Sequence, residues 1–216
     1  MSHDASFLPE PVRHYVDGLF PVPFKNMDLM EREIAAEGQP AVGRSTGSAL
    51  RALVAASGGV RVLEVGTNVG YSALWMGAGL PNGGRMDTIE LNGDIASRAR
   101  RNIANAGLAT RITVHQGAAL DVLPRLQAPY DFIFLDAAKA EYPAYLQHAL
   151  RLLRSGGIVA ADNAFWLGRA WDASAKDADT EGVREYTRRV TTDPKLVTTL
   201  VPSEDGLLVS VVMGPR

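Results

Sequence analysis

Residues 60–71 read Val-Arg-Val-Leu-Glu-Val-Gly-Thr-Asn-Val-Gly-Tyr, and this stretch decides the fold. The apolar run Val62-Leu63-Glu64-Val65 enters a loop holding Gly66 and Gly70, and a helix-like segment follows. Strand, tight glycine turn and helix N-terminus together form the geometry that binds nucleotide-like ligands in α/β proteins. The spacing is E-x-G-x-x-x-G, whereas a dinucleotide fingerprint reads G-x-G-x-x-G. An acid two residues before the first glycine suits a ligand with positive charge near the turn better than a pyrophosphate. S-adenosylmethionine (SAM), with its ammonium and sulfonium, is such a ligand.

Outward from that stretch, strands and helices alternate. Strands are predicted at residues 62–65, 85–90, 112–116, 130–135, 157–161, 196–201 and 207–212, and helices at 46–56, 92–106, 119–126, 143–153 and 177–191. Gly107 is a natural C′ residue, and Pro143 opens its helix near the first turn. This order predicts a Rossmann-like, doubly wound seven-stranded sheet, mainly parallel, with helices on both faces. The last two strands are joined only by Pro202-Ser203-Glu204-Asp205-Gly206, too short for a parallel crossover, so they are predicted to form an antiparallel hairpin. Prolines 9, 11, 21, 23 and 40 break residues 1–40 into short pieces, with helices expected near 12–16 and 29–37. This arm reads as a lid, an oligomer contact or a solvated extension of one domain spanning residues 1–216.

Composition narrows the function classes. Net charge is −2, with no basic stripe for nucleic acid or an anionic membrane. No apolar run approaches the ~18–20 residues of a membrane span, and the N-terminus lacks a signal-peptide pattern. Cysteine is absent, which removes disulfides, thiolate metal sites and cysteine nucleophiles and fits a cytoplasmic protein.

Active sites in open α/β sheets lie beyond the carboxyl ends of the strands. After the first strand come Gly66, Thr67 and Ser72; the Ser72 hydroxyl suits a ligand carboxylate, or equally a helix cap. Glu64 within an apolar strand is costly unless paired. Glu90 ends the second strand, where an acid typically accepts ribose hydroxyls. Small residues at 117–119 leave room for an adenine, or form a plain strand-to-helix turn. After the fourth and fifth strands come Asp136, Asp162 and Asn163, three hard oxygen donors that suit Mg²⁺ or cap the following segments. Beside a divalent cation the ammonium form of a lysine is disfavoured, which makes Lys139 a candidate general base rather than a surface charge. Phe165, Trp166 and Trp171 are expected either to wall an aromatic acceptor or to serve in packing.

Taken together, LEVGTNVGYSAL at 63–74, TIEL at 88–91, FLDAAKAEYPAY at 134–145, ADNAFW at 161–166, DPK at 193–195 and EDGLLVSVV at 204–212 resemble the class I SAM-dependent, cation-dependent O-methyltransferases, the catechol and caffeoyl-CoA O-methyltransferase group with its small bacterial relatives. The resemblance implies Asp136, Asp162 and Asn163 as ligands of Mg²⁺ (or Mn²⁺ or Ca²⁺) and Lys139 as the catalytic lysine. It implies Glu90 at the ribose, Ala119 at the adenine, and Val42, Glu64, Gly66, Thr67 and Ser72 at the methionine end, with Asp136 bordering the cofactor. The implied acceptor is a catechol-like small aromatic diol, and the implied assembly a homodimer. Ala138 replaces an acid common in the family, and Leu167 replaces an amide of the plant coenzyme A-ester enzymes, which argues against a strict caffeoyl-CoA role. Competing readings are a non-catalytic SAM-binding protein and an NAD-type oxidoreductase on a similar fold.

Overall fold

A computed structural model describes residues 8–214. Its seven strands form one sheet in the order β3-β2-β1-β4-β5-β7-β6. The parallel strands are β1 (Arg61–Val65), β2 (Arg85–Glu90), β3 (Ile112–Gln116), β4 (Tyr130–Leu135) and β5 (Leu153–Ala161). The remaining pair, β6 (Leu196–Val201) and β7 (Leu207–Val212), is the antiparallel hairpin, and β7 lies antiparallel to β5. Chain direction reverses its winding between β1 and β4, which creates a crevice at their carboxyl ends.

Side-chain alternation along each strand builds two cores, one per face. Val62, Phe132, Phe134 and Ala160 face one way, and pack with Leu50 and Val54 of α3 (Arg44–Ala56), Trp75 of α4 (Tyr71–Gly77) and Ile103 of α5 (Gly93–Asn105). Leu63, Val65, Ile133, Leu135 and Val159 face the other way, against Tyr145 and Leu146 of α7 (Tyr142–Leu152) and Tyr186 and Val190 of α8 (Ala178–Thr192). A strand buried on both faces must be apolar at nearly every position, as β4 is.

Local chemistry sets the element ends. Asn92 caps α5 by accepting the amides of Asp94 and Ile95. At its other end Gly107 N donates to Ala104 O and Leu108 N to Ile103 O, a Schellman stop. The expected helix at 119–126 divides into a short α6 (Ala119–Val122) and a 3-10 turn (Leu123–Arg125), because Pro124 cannot donate to the helical ladder. The arm holds α1 (Glu10–Leu19), which buries none of its residues, and α2 (Met27–Glu37), which buries Met27, Met30 and Ile34. No helix among the described residues is long and apolar enough to cross a membrane.

Candidate active site

Register brings the site residues level. Val65 lies opposite Ile89 and Leu135, and Leu135 opposite Ala161, so the residues after β1, β2, β4 and β5 emerge side by side. Gly66 takes φ +102°, and a Cβ there would overlap the Asp136 carbonyl oxygen. Only glycine supplies both the conformation and the room. Its amide and that of Thr67 donate to Ile89 O, which ties the turn to β2.

Glu64 is fully buried behind this turn. It is opposite Thr88 in register and accepts the hydroxyls of Thr88, at 2.6 Å, and of Ser72. Thr67 Oγ1 in turn lies 2.6 Å from Thr88 Oγ1. Burial pushes the Glu64 carboxyl up to about 8, opposed by the two hydroxyls. The acid in the apolar strand is therefore satisfied within the protein, and the Ser72 hydroxyl is directed at Glu64.

A cleft of about 280 Å³ opens at the strand ends, and among the residues lining it are Gly66, Glu90, Ala119 and Asp136. Val42, Glu64, Thr67 and Ser72 are not among the residues that line it. Both Glu90 oxygens are held by backbone amides, Asn68 N at 2.9 Å and Asn92 N at 2.9 Å. Each oxygen keeps a second lone pair for a ligand hydroxyl. A wider hollow of about 420 Å³ beside α1 is lined by Glu10, Pro11, Arg13, His14 and Asp17 and carries none of the strand-end residues.

Next to the cleft, Lys139 is buried, and its Nζ donates to Asp136 Oδ1 at 2.7 Å and to Tyr142 OH at 2.8 Å. Tyr142 OH also reaches Leu135 O at 3.1 Å and Asp162 O at 3.3 Å, joining the ends of β4 and β5. The α8 helix presses on the lysine turn. A Cβ on Gly182 would overlap Lys139 O, and Asp179 Oδ1 accepts Ala140 N at 2.9 Å. Asp162 is buried, and its Oδ1 has no hydrogen-bond partner. Burial and the charge of Asp136 hold the Asp162 carboxyl well above the usual carboxylate range, with Lys139 opposing. Among the described residues no three His, Cys, Asp or Glu side chains converge as a metal site. The set formed by Asp136, Asp162 and Asn163 has two carboxylates and one amide.

Sequence reasoning gave no role to Asp205 or Glu204. Asp205 lies in the β6–β7 turn, is 2% exposed, and accepts Asn163 Nδ2 at 2.9 Å and Leu167 N at 2.9 Å. Burial raises its carboxyl, and those two bonds oppose the rise. Phe165 N donates to Asp205 O and Ala164 N to Gly206 O, so residues 163–167 are strapped to the hairpin turn. That strap holds three left-handed residues, Asn163, Trp166 and Leu167. Glu204 accepts Gly43 N at 2.6 Å and Ser45 Oγ at 2.8 Å, and so caps α3 from the β6–β7 turn. The quoted EDG motif was the only signal for either acid. Of the aromatics, Phe165 and Trp171 stack edge-on at 5.9 Å between centroids, while the Trp166 ring lies 5.9 Å from Lys139 Nζ.

The sequence profile of the O-methyltransferase family matches residues 28–212. A catechol O-methyltransferase of Niastella koreensis is 32% identical over 214 residues, covering 94% of this chain and 97% of that one. The crystal structure of an O-methyltransferase from Bacillus cereus in complex with SAH superposes with a TM-score of 0.86 at 33% identity, over 94% of this chain and 97% of that one. TomG of Streptomyces achromogenes, an O-methyltransferase of tomaymycin synthesis solved with SAM, gives a TM-score of 0.87 at 32% identity, over 94% and 96% of the two chains.

Proposed function

The chain belongs to the O-methyltransferase family, and on that premise we propose that it transfers the methyl group of SAM to one hydroxyl of a vicinal dihydroxy aromatic small molecule. In this reading Asp136, Asp162 and Asn163 hold a divalent cation, Mg²⁺ by preference, and Lys139 is the general base. The observation that carries the proposal is the buried, unpartnered Asp162 Oδ1 beside Asp136 and Lys139. A buried carboxylate oxygen without a partner is costly. A cation would supply the missing contact, and an oxygen-only donor set suits Mg²⁺.

The cofactor reading fits the cleft. Glu90 offers one free lone pair on each oxygen to a ribose diol, and Ala118 and Ala119 leave a flat wall for an adenine. Glu64 lies buried behind the glycine turn, and an ammonium or sulfonium bound nearby would favour its ionised form. A cation bound at this site would supply Lewis-acid stabilisation of the phenolate. The protein's own groups do the rest. Asp136 and Tyr142 hold the Lys139 Nζ in place, and in this reading it takes the proton of the acceptor hydroxyl. The sulfonium methyl is already on a good leaving group, so positioning of phenolate and methyl carries most of the barrier reduction.

A panel assay tests the acceptor class. Labelled SAM is offered with dihydroxybenzoate, caffeate and a catechol flavonoid, each beside its monohydroxy analogue. Label is expected in the diols and not in the monophenols. SAM binding without transfer to any diol would sink the acceptor assignment.

A further inference from the structure

Asp205 is almost sealed from solvent, and its two oxygens have separate tasks. Oδ1 accepts the Leu167 amide and Oδ2 accepts Asn163 Nδ2, each at 2.9 Å. A carboxylate facing two donors can only accept. The Asn163 amide therefore has one satisfied orientation, with its NH₂ toward Asp205 and its carbonyl oxygen turned away. The backbone reinforces this aim. Asn163 sits at φ +60°, and Trp166 at +48° and Leu167 at +54° complete a strained loop that needs an external anchor. Asp205 is the side chain that grips both ends of that loop.

We infer that Asp205 is a positioning residue that makes Asn163 offer its side-chain carbonyl oxygen, rather than its NH₂, to a divalent cation beside Asp162. This rests on the metal reading proposed above. An amide at position 205 has one oxygen for two donors. With that oxygen on the Leu167 amide, its NH₂ confronts the Asn163 NH₂. Asn163 then relieves the conflict by turning over, and a donor replaces the oxygen facing the cation. Exchanging the two side chains, Asn163→Asp with Asp205→Asn, rebuilds the pair. The amide at 205 donates to the carboxylate at 163, whose other oxygen faces the cation, and the net charge of the site is unchanged.

The experiment compares wild type, Asp205→Asn, Asn163→Asp and the double variant in two readouts. One is Mn²⁺ affinity by electron paramagnetic resonance titration. The other is thermal unfolding in EDTA, which needs no metal. Asp205→Asn is expected to weaken Mn²⁺ binding by about 10–100-fold, the usual cost of losing a group that orients a ligand, and the double variant to recover most of that loss. In EDTA each single variant is expected to melt lower, and the double variant to regain most of the difference, the non-additivity of a contacting pair. Unchanged Mn²⁺ affinity in Asp205→Asn, or a double variant no better than the singles, would overturn the inference. A wild type that binds no Mn²⁺ removes the metal reading itself. The metal-free melts then decide the pairing alone, and strictly additive losses there overturn it.

Discussion

Lys139 concentrates the proposed chemistry. Its neighbours are a carboxylate, a phenol and the Trp166 ring, so little in its surroundings is free to substitute for it. Lys139→Ala is expected to leave SAM affinity in calorimetry unchanged and to lower turnover by about 10²–10⁴-fold, the usual contribution of a positioned base. Unchanged turnover would remove the lysine from the mechanism. Glu64 gives a second test at this scale. Its folded carboxyl is raised from 4.5 to about 8. Between those values the folded protein holds a proton that the unfolded chain has released. Its contribution to stability is therefore full below the lower value and lost as pH rises through the upper one. In the ligand-free protein, Glu64→Gln is expected to flatten the fall in melting temperature between about pH 5 and pH 8. An identical slope in both proteins would contradict this. Glu64 also shows what single residues reveal in sequence. An acid in an apolar strand signals a special environment, but its hydroxyl partners stand 8 and 24 positions away. Asp205 was illegible for the same reason, because its partner lies 42 positions away across the hairpin.

At the scale of elements, the α8 helix buttresses the lysine turn through a glycine. Gly182 lets the helix backbone approach Lys139 O closely, although alanine is the better helix former by ~1 kcal/mol. Gly182→Ala is expected to destabilise the protein by about 1–3 kcal/mol through overpacking. Displacing the Lys139 turn should also lower kcat by up to about 10²-fold. Equal kcat in that variant would show that α8 does not position the lysine. Elements were well legible where periodicity and capping agreed. The strands at 85–90, 112–116, 130–135, 196–201 and 207–212 fall where the apolar patterns placed them. The strand expected from 157 instead begins at Leu153. Ser155-Gly156-Gly157 reads locally as a turn, while pairing of Tyr130 with Leu153, with the surplus residues of β5 bulging before Ile158 pairs with Phe132, carries it into the sheet.

For the whole molecule, the short link between β6 and β7 forced a hairpin, and the strand–helix alternation forced parallel pairing elsewhere. The winding reversal between β1 and β4 then follows from layer packing, and it gathers residues from 64 to 163 at one edge. The role of the N-terminal arm is written less clearly, because α2 packs into the core through Met27, Met30 and Ile34 while α1 buries none of its residues. Val12, Tyr15 and Leu19 form an exposed apolar face on α1. We propose that a second copy covers it. Light scattering is expected to give twice the 23.2 kDa chain mass, falling toward one chain in Tyr15→Glu. A wild-type mass of one chain would contradict the dimer.

The dependence of methyl transfer on a cation held between Asp136, Asp162 and Asn163 is the core of the proposed mechanism. Its most direct measurement is the rate of label transfer from SAM to a catechol in Mg²⁺, then after EDTA, then after Mg²⁺ is restored. Transfer is expected to be lost in EDTA with SAM still bound, and to recover fully on readdition. Transfer that continues unchanged in EDTA would contradict it.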